Sequence, residues 1–260
     1  GKGGTGKTLL TAVMAELLAN AGADVLAIDM DVFVRGLTAL LYFHKNEVIN
    51  ITKKNEWPIS AFFKNKSNMV KEKEIAICKY RSFDVIPSVA KVNEILCFSD
   101  IMPNSINEAN EILKAILQYI PEKYDYVFLD SRAGFDELIA ATHQISNFSL
   151  CVEEDDDISR ITSDNLIKQL KEADVGKPVF RIINKARIMQ KDDKFYGIEF
   201  LGNILFDTDV MNSFGTKEFW KEIEKSLYKE HLIKVWNKLA KKMELEIILE
   251  EKRVSPIGLQ

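Results

Sequence analysis

The chain has 260 residues, 47% of them apolar and 28% charged, and carries a net charge of −4. A chain of this size and make-up can bury a sizeable core, which excludes a disordered or low-complexity protein, and its mild acidity creates no overall field that attracts nucleic acid. Three widely spaced cysteines (Cys78, Cys97, Cys151) and three histidines without ligand spacing exclude a disulfide framework and argue against structural zinc.

In chain order, the opening GKGGTGKTLL fits G-x-x-x-x-G-K-[ST] at Gly1, Gly6, Lys7 and Thr8. The chemistry explains the spacing. Gly1, Gly3, Gly4 and Gly6, with Thr5 between them, let backbone N–H groups approach phosphate oxygens with few Cβ atoms in the way. A helix starting near Gly6 adds unpaired N–H donors and the positive end of its dipole, while Lys7 can reach phosphate and Thr8 can hold Mg²⁺. Leu9, Leu10, Val13, Met14, Leu17 and Leu18 then recur at helical steps, with Gly22 as a stop. Such a loop normally hangs from a hydrophobic strand, so the sequence is expected to lack a short apolar N-terminal segment.

Next, ADVLAIDMD reads as a buried parallel strand ending in Asp29 and Asp31. Further strands are predicted over 75–78, 84–87, 126–130, 148–152, 179–183 and 200–205, besides 25–29. Helical stretches such as SINEANEILKAILQYI and DISRITSDNLIKQLKEA lie between most of them, which implies a mostly parallel sheet with helices on both faces. The lysine-rich stretch around Lys53, Lys54, Lys64, Lys66, Lys71 and Lys73 reads as a solvated insertion, a partner or DNA contact being the alternative. Near the C-terminus, Phe219, Ile223, Leu227, Leu232, Val235, Trp236 and Leu239 form an amphipathic helical stripe. Its lysines alternate with acids, which favours packing on the sheet or a partner over binding a membrane. No apolar run is long enough to cross a bilayer.

Lys2 narrows the reading. KGGTGKT resembles the deviant Walker A motif of the MinD/ParA family, with its signature lysine beside the first glycine. Three more stretches extend the resemblance. Asp29 and Asp31 look like the family's D-x-D switch I, continued by Arg35 and Leu37; Asp29 is implied to lie near Mg²⁺ and Asp31 to position the attacking water. Val127, Phe128 and Leu129 lead to Asp130, a Walker B carboxylate expected to bind Mg²⁺, and DSRAG looks like switch II, with Gly134 supplying mobility. Arg132 stands where the family usually has proline, either as a cation near phosphates or the dimer interface, or as a surface arginine. Asn184 falls where the family reads adenine, with a strand-end cap as the other reading. FLGNILFDTDV resembles the base-side loop, with Asp207 as a nucleotide contact and Phe206 in place of a proline.

The resemblance spans roughly residues 1 to 215 and implies a three-layer α/β P-loop NTPase fold, one domain over 1–260. A variable insertion at about 42–83 and a helical segment at about 216–250 would lie outside the shared core. The expected activity is Mg²⁺-dependent ATP hydrolysis to ADP and phosphate by a cytoplasmic switch. Two copies would close over ATP as a homodimer, with Lys2, Lys7 and Asp31 catalytic, to regulate or position a protein partner. Two alternatives are a partition-type ATPase that binds DNA non-specifically and a regulatory subunit with little hydrolysis.

Overall fold

The computed structural model describes residues 3–42, 51–53, 55–65, 74–91, 93–97, 101–188 and 198–251. Gly1 and Lys2 lie outside them, as do Lys54, Lys66, Lys71 and Lys73. In chain order the elements are α1 (Lys7–Asn20), β1 (Val25–Asp29), α2 (Gly36–Tyr42), β2 (Glu56–Trp57), α3 (Ile59–Asn65), β3 (Glu74–Ile75), β4 (Cys78–Tyr80) and β5 (Phe83–Ile86). Then follow α4 (Ile106–Gln118), β6 (Tyr126–Asp130), α5 (Glu137–Ile145), β7 (Ser149–Glu154), α6 (Asp157–Ala173), β8 (Val179–Ala186) and β9 (Glu199–Leu205). Three helices close the described chain: α7 (Thr208–Ser213), α8 (Phe219–Lys225) and α9 (Leu227–Met243).

The sheet is mixed and mostly parallel. β1 pairs in parallel with β5 on one side and β6 on the other, and β7, β8 and β9 form a second parallel set. All five residues of β1 are buried, because helices cover both faces. Val25 and Ala27 point into the core shared with α1 and α9, whereas Leu26 and Ile28 point into the core shared with α3, α4 and α5. This period of two sorts one apolar run into two layers.

No described strand pairs with the outer edge of β6 or of β7. A cleft of about 410 Å³ lies between them, lined by Lys7, Val127, Leu129, Phe148, Leu150 and Val152 among others.

Helix α1 departs from the simple stripe. Every residue from Leu9 to Leu18 is buried, because the sheet covers one side and the C-terminal helices cover the other. Glu16, 3% exposed, is tolerated there through its pairing with Arg81 at 2.7 Å, whose guanidinium lies over Trp220. The C-terminal stripe packs onto the sheet as two helices. Ser226 breaks them and caps α9 by accepting from the Lys229 N–H. Phe219, Ile223, Leu232, Val235, Trp236 and Leu239 enter the core; Leu227, at the first position of α9, is exposed instead.

Two further expectations change. The strand predicted at 75–78 divides: Glu74–Ile75 pairs with β2, and Cys78–Tyr80 turns back antiparallel on β5 through Arg81 at φ 47°. The lysine-rich stretch is only partly solvated, because Ile59, Phe62, Phe63 and Ile75 are buried against α4 and β1. Its apolar residues recur in α3 at positions that lysine-counting hides.

Candidate functional site

The site gathers at the C-terminal ends of β1 and β6, where ligands sit in open α/β sheets. Gly4 (φ 81°) and Gly6 (φ 87°) take left-handed backbone, and Gly6 starts α1 without a side-chain cap, so the first amides of the helix stay available. Lys7 follows, and burial pushes its ammonium pKa down, against the pull of Asp130 and Asp31. Thr8 donates its hydroxyl to Asp130 Oδ2 at 2.8 Å, and Thr11, one turn on, reaches Asp130 Oδ1 at 3.3 Å.

Asp29 and Asp130 are direct neighbours across the β1–β6 pairing, and both are buried. Burial raises Asp130 to about 7, and the Asp29 charge adds to this, while Thr8, Lys7 and Thr11 pull it back. Asp29 rises to about 6, again chiefly through burial, opposed by hydrogen bonds. Thr38 donates to Asp29 Oδ2 from its hydroxyl at 2.6 Å and its N–H at 2.8 Å, and the Asp31 N–H donates to Oδ1 at 3.1 Å. Asp29 thus organises the turn that presents Asp31. The Asp31 carboxylate accepts from Val34 N–H at 3.0 Å, and Arg35, at φ 57°, completes the turn.

Two adjacent buried carboxylates beside a hydroxyl make a hard-oxygen donor set suited to Mg²⁺, because a divalent cation would offset the like-charge repulsion between them once their protons are released. Among the described residues no group of three or more His, Cys, Asp or Glu could hold a metal ion. Magnesium fits this, since it is commonly bound by one or two carboxylates together with substrate phosphates and water.

After β6, Arg132 donates to Asp136 Oδ2, whose Oδ1 caps α5 by accepting from the Ile139 N–H at 2.9 Å. Gly134 sits at φ 96°. Asn184, wholly buried, donates to Thr5 O at 2.8 Å and leaves its Oδ1 without a partner among the described residues. Asp207 caps α7 through Val210 N–H at 3.1 Å. Gly1 and Lys2 fall outside the described residues.

Sequence reasoning missed several participants. Thr11 lies one helical turn after Thr8, a spacing that could have flagged it. Thr38 and Ser88, 3.0 Å apart, steady Asp29 from distant segments. Gly36 is needed because a Cβ there would lie 2.9 Å from Thr8 Oγ1. Lys185, next to Asn184, donates to Gly4 O at 2.6 Å.

Comparison with known proteins bears on the family and the fold. The family model described as AAA domain matches residues 1–174. The septum site-determining protein MinD of Synechocystis is 23% identical over 198 residues, 72% of this chain and 62% of that protein. The chain spans 49%, 62% and 47% of the lengths of three curated relatives it matches. Among solved structures, MinD of Pyrococcus horikoshii complexed with Mg-ADP superposes with TM-score 0.64 at 18% identity, covering 94% of each chain. A ParA family ATPase from Chlorobium tepidum gives 0.64 at 20% identity, covering 92% of this chain and 95% of its own. At such identities the structures speak for the fold, and the family model, spanning more than half the chain, speaks for kinship. The chain belongs to the AAA-domain family, and its fold is that of MinD and ParA family structures.

Proposed function

We propose that the chain is a Mg²⁺-ATP-dependent switch that hydrolyses ATP to ADP and phosphate and pairs with a second copy while ATP is bound. One observation carries this reading: the Thr8 hydroxyl meets the Asp130 carboxylate at 2.8 Å, beside Asp29 and within the field of Lys7. The loop amides and Lys7 would neutralise the phosphate chain; Thr8 and Asp130 would hold Mg²⁺, with Asp29 behind them. The metal would supply positive charge against the phosphate oxygens. Asp31, held by its turn, would orient the attacking water, and Lys2 would reach phosphate, in the manner of the family's signature lysine. Asn184 Oδ1, without a partner among the described residues, is an acceptor suited to the amino group of adenine, with Asp207 on the base side.

Loss of the terminal phosphate would release the two switch turns, Asp29–Arg35 and Asp130–Gly134, and with them the dimer and its protein partner. Similarity to ParA family structures favours a second reading, a partition ATPase that binds DNA without sequence preference. Salt-sensitive DNA binding that requires ATP would support it; the net charge of −4 keeps it second.

The test is phosphate release and ATP binding by Lys7→Ala beside the unmodified chain, with Asp31→Ala run on a sizing column. Lys7→Ala is expected to lose binding or turnover, and Asp31→Ala to stay dimeric with ATP. Undiminished hydrolysis in Lys7→Ala refutes the assignment.

A further inference from the structure

The end of β8 is irregular. Its pairing with β9 shifts register between Ile183 and Ala186, and within that stretch Lys185 has φ 55°, backbone unfavourable for any residue with a Cβ. Irregularities of this kind re-aim side chains and gather at functional sites. Here two consecutive side chains reach two consecutive carbonyls of the phosphate loop. Asn184 Nδ2 donates to Thr5 O at 2.8 Å, and Lys185 Nζ donates to Gly4 O at 2.6 Å while also pairing with Glu154 at 2.8 Å. The approach is close: a Cβ on Gly6 would sit 2.2 Å from Asn184 Nδ2.

The consequence follows from peptide geometry. In a planar trans peptide the C=O and the following N–H point in opposite directions. Holding the carbonyls of Gly4 and Thr5 toward β8 therefore turns the N–H groups of Thr5 and Gly6 away from it, toward the side a phosphate chain would take. Left unheld, a loop of four glycines within six residues samples many other shapes, and ordering it would cost affinity at the moment of binding.

We propose that Asn184 and Lys185 are positioning residues, a bracket that holds the loop in its phosphate-binding shape before nucleotide arrives. The bracket rests on the reading of residues 3–8 as a phosphate loop, and it assigns the end of β8 a role separate from recognition of the base. Lys185 acts through Gly4, and Glu154 steadies it.

The test separates the phosphate chain from the base by using inorganic tripolyphosphate and adenosine as probes, with ADP for comparison. Lys185→Met is expected to weaken tripolyphosphate and ADP by about tenfold each, the worth of one charge-assisted hydrogen bond, with adenosine unchanged. Asn184→Ala, which removes no charge, is expected to weaken tripolyphosphate as well; Asn184→Ser replaces it if that variant does not fold. Glu154→Gln leaves the Lys185–Gly4 contact and is expected to change tripolyphosphate binding little. Unchanged tripolyphosphate binding in both Lys185→Met and Asn184→Ala overturns the bracket. So does a loss confined to Lys185→Met that vanishes in high salt, because charge acting directly on phosphate would then account for it. An unmodified chain that binds none of the three probes refutes the phosphate-loop reading itself and the bracket with it.

Discussion

The paired carboxylates make magnesium binding depend on pH, with a size that follows from their surroundings. Asp130 lies at about 7 because burial and the Asp29 charge outweigh Thr8, Lys7 and Thr11. Metal needs the ionised carboxylate, so binding expels a proton. At a pKa of about 7, roughly a tenth of the sites are ionised at pH 6 and nine tenths at pH 8. Apparent Mg²⁺ affinity should therefore rise about tenfold over that interval, equivalent to about 1.4 kcal/mol. Calorimetric titration of ADP with and without Mg²⁺ at pH 6, 7 and 8 measures it. Asp130→Asn, which cannot titrate there, serves as control for the nucleotide's own ionisation. The same carboxylates set the stability of the metal-free protein. Their folded values, about 7 and about 6, lie above the ordinary carboxylate range, so the folded state binds the protons more tightly. That contribution is complete below about pH 4 and is lost as pH rises through 6 and 7, which should lower the metal-free melting temperature over this window. Equal pH slopes for the unmodified chain and Asp130→Asn, or affinity that falls toward alkaline pH, would refute the reasoning.

Two further predictions concern the scaffold. Trp236 is 1% exposed, donates to Ile247 O at 2.9 Å and meets the Tyr126 ring edge-on, so Trp236→Ala should cost about 3–5 kcal/mol in urea unfolding; a loss under about 1 kcal/mol would contradict its place in the core. Asp136 both caps α5 and holds Arg132, so Asp136→Ala should cost about 1–2 kcal/mol and Asp136→Asn, which keeps a capping oxygen, distinctly less. Equal losses in the two variants would remove the cap as the cause.

Local pattern determined a large part of this protein. The glycine spacing of the opening loop, the helical run after it and the apolar runs ending in Asp29 and Asp130 each carry their signal within about a dozen residues, because phosphate loops and buried parallel strands impose local demands on sequence. The α/β class and the kinship follow from those runs. Other features needed the chain folded, because their partners are distant in sequence. That Glu16 could be buried depended on Arg81, and that α1 is enclosed on all sides depended on α9, more than two hundred residues away. The division of 75–78 into two strands was decided by two different neighbours, β2 and β5. At the site, Thr38 and Ser88 behind Asp29, and Lys185 on Gly4, belong to no motif in the sequence. Buried polar atoms must find partners wherever the fold supplies them, and only the tertiary structure decides which residues those are.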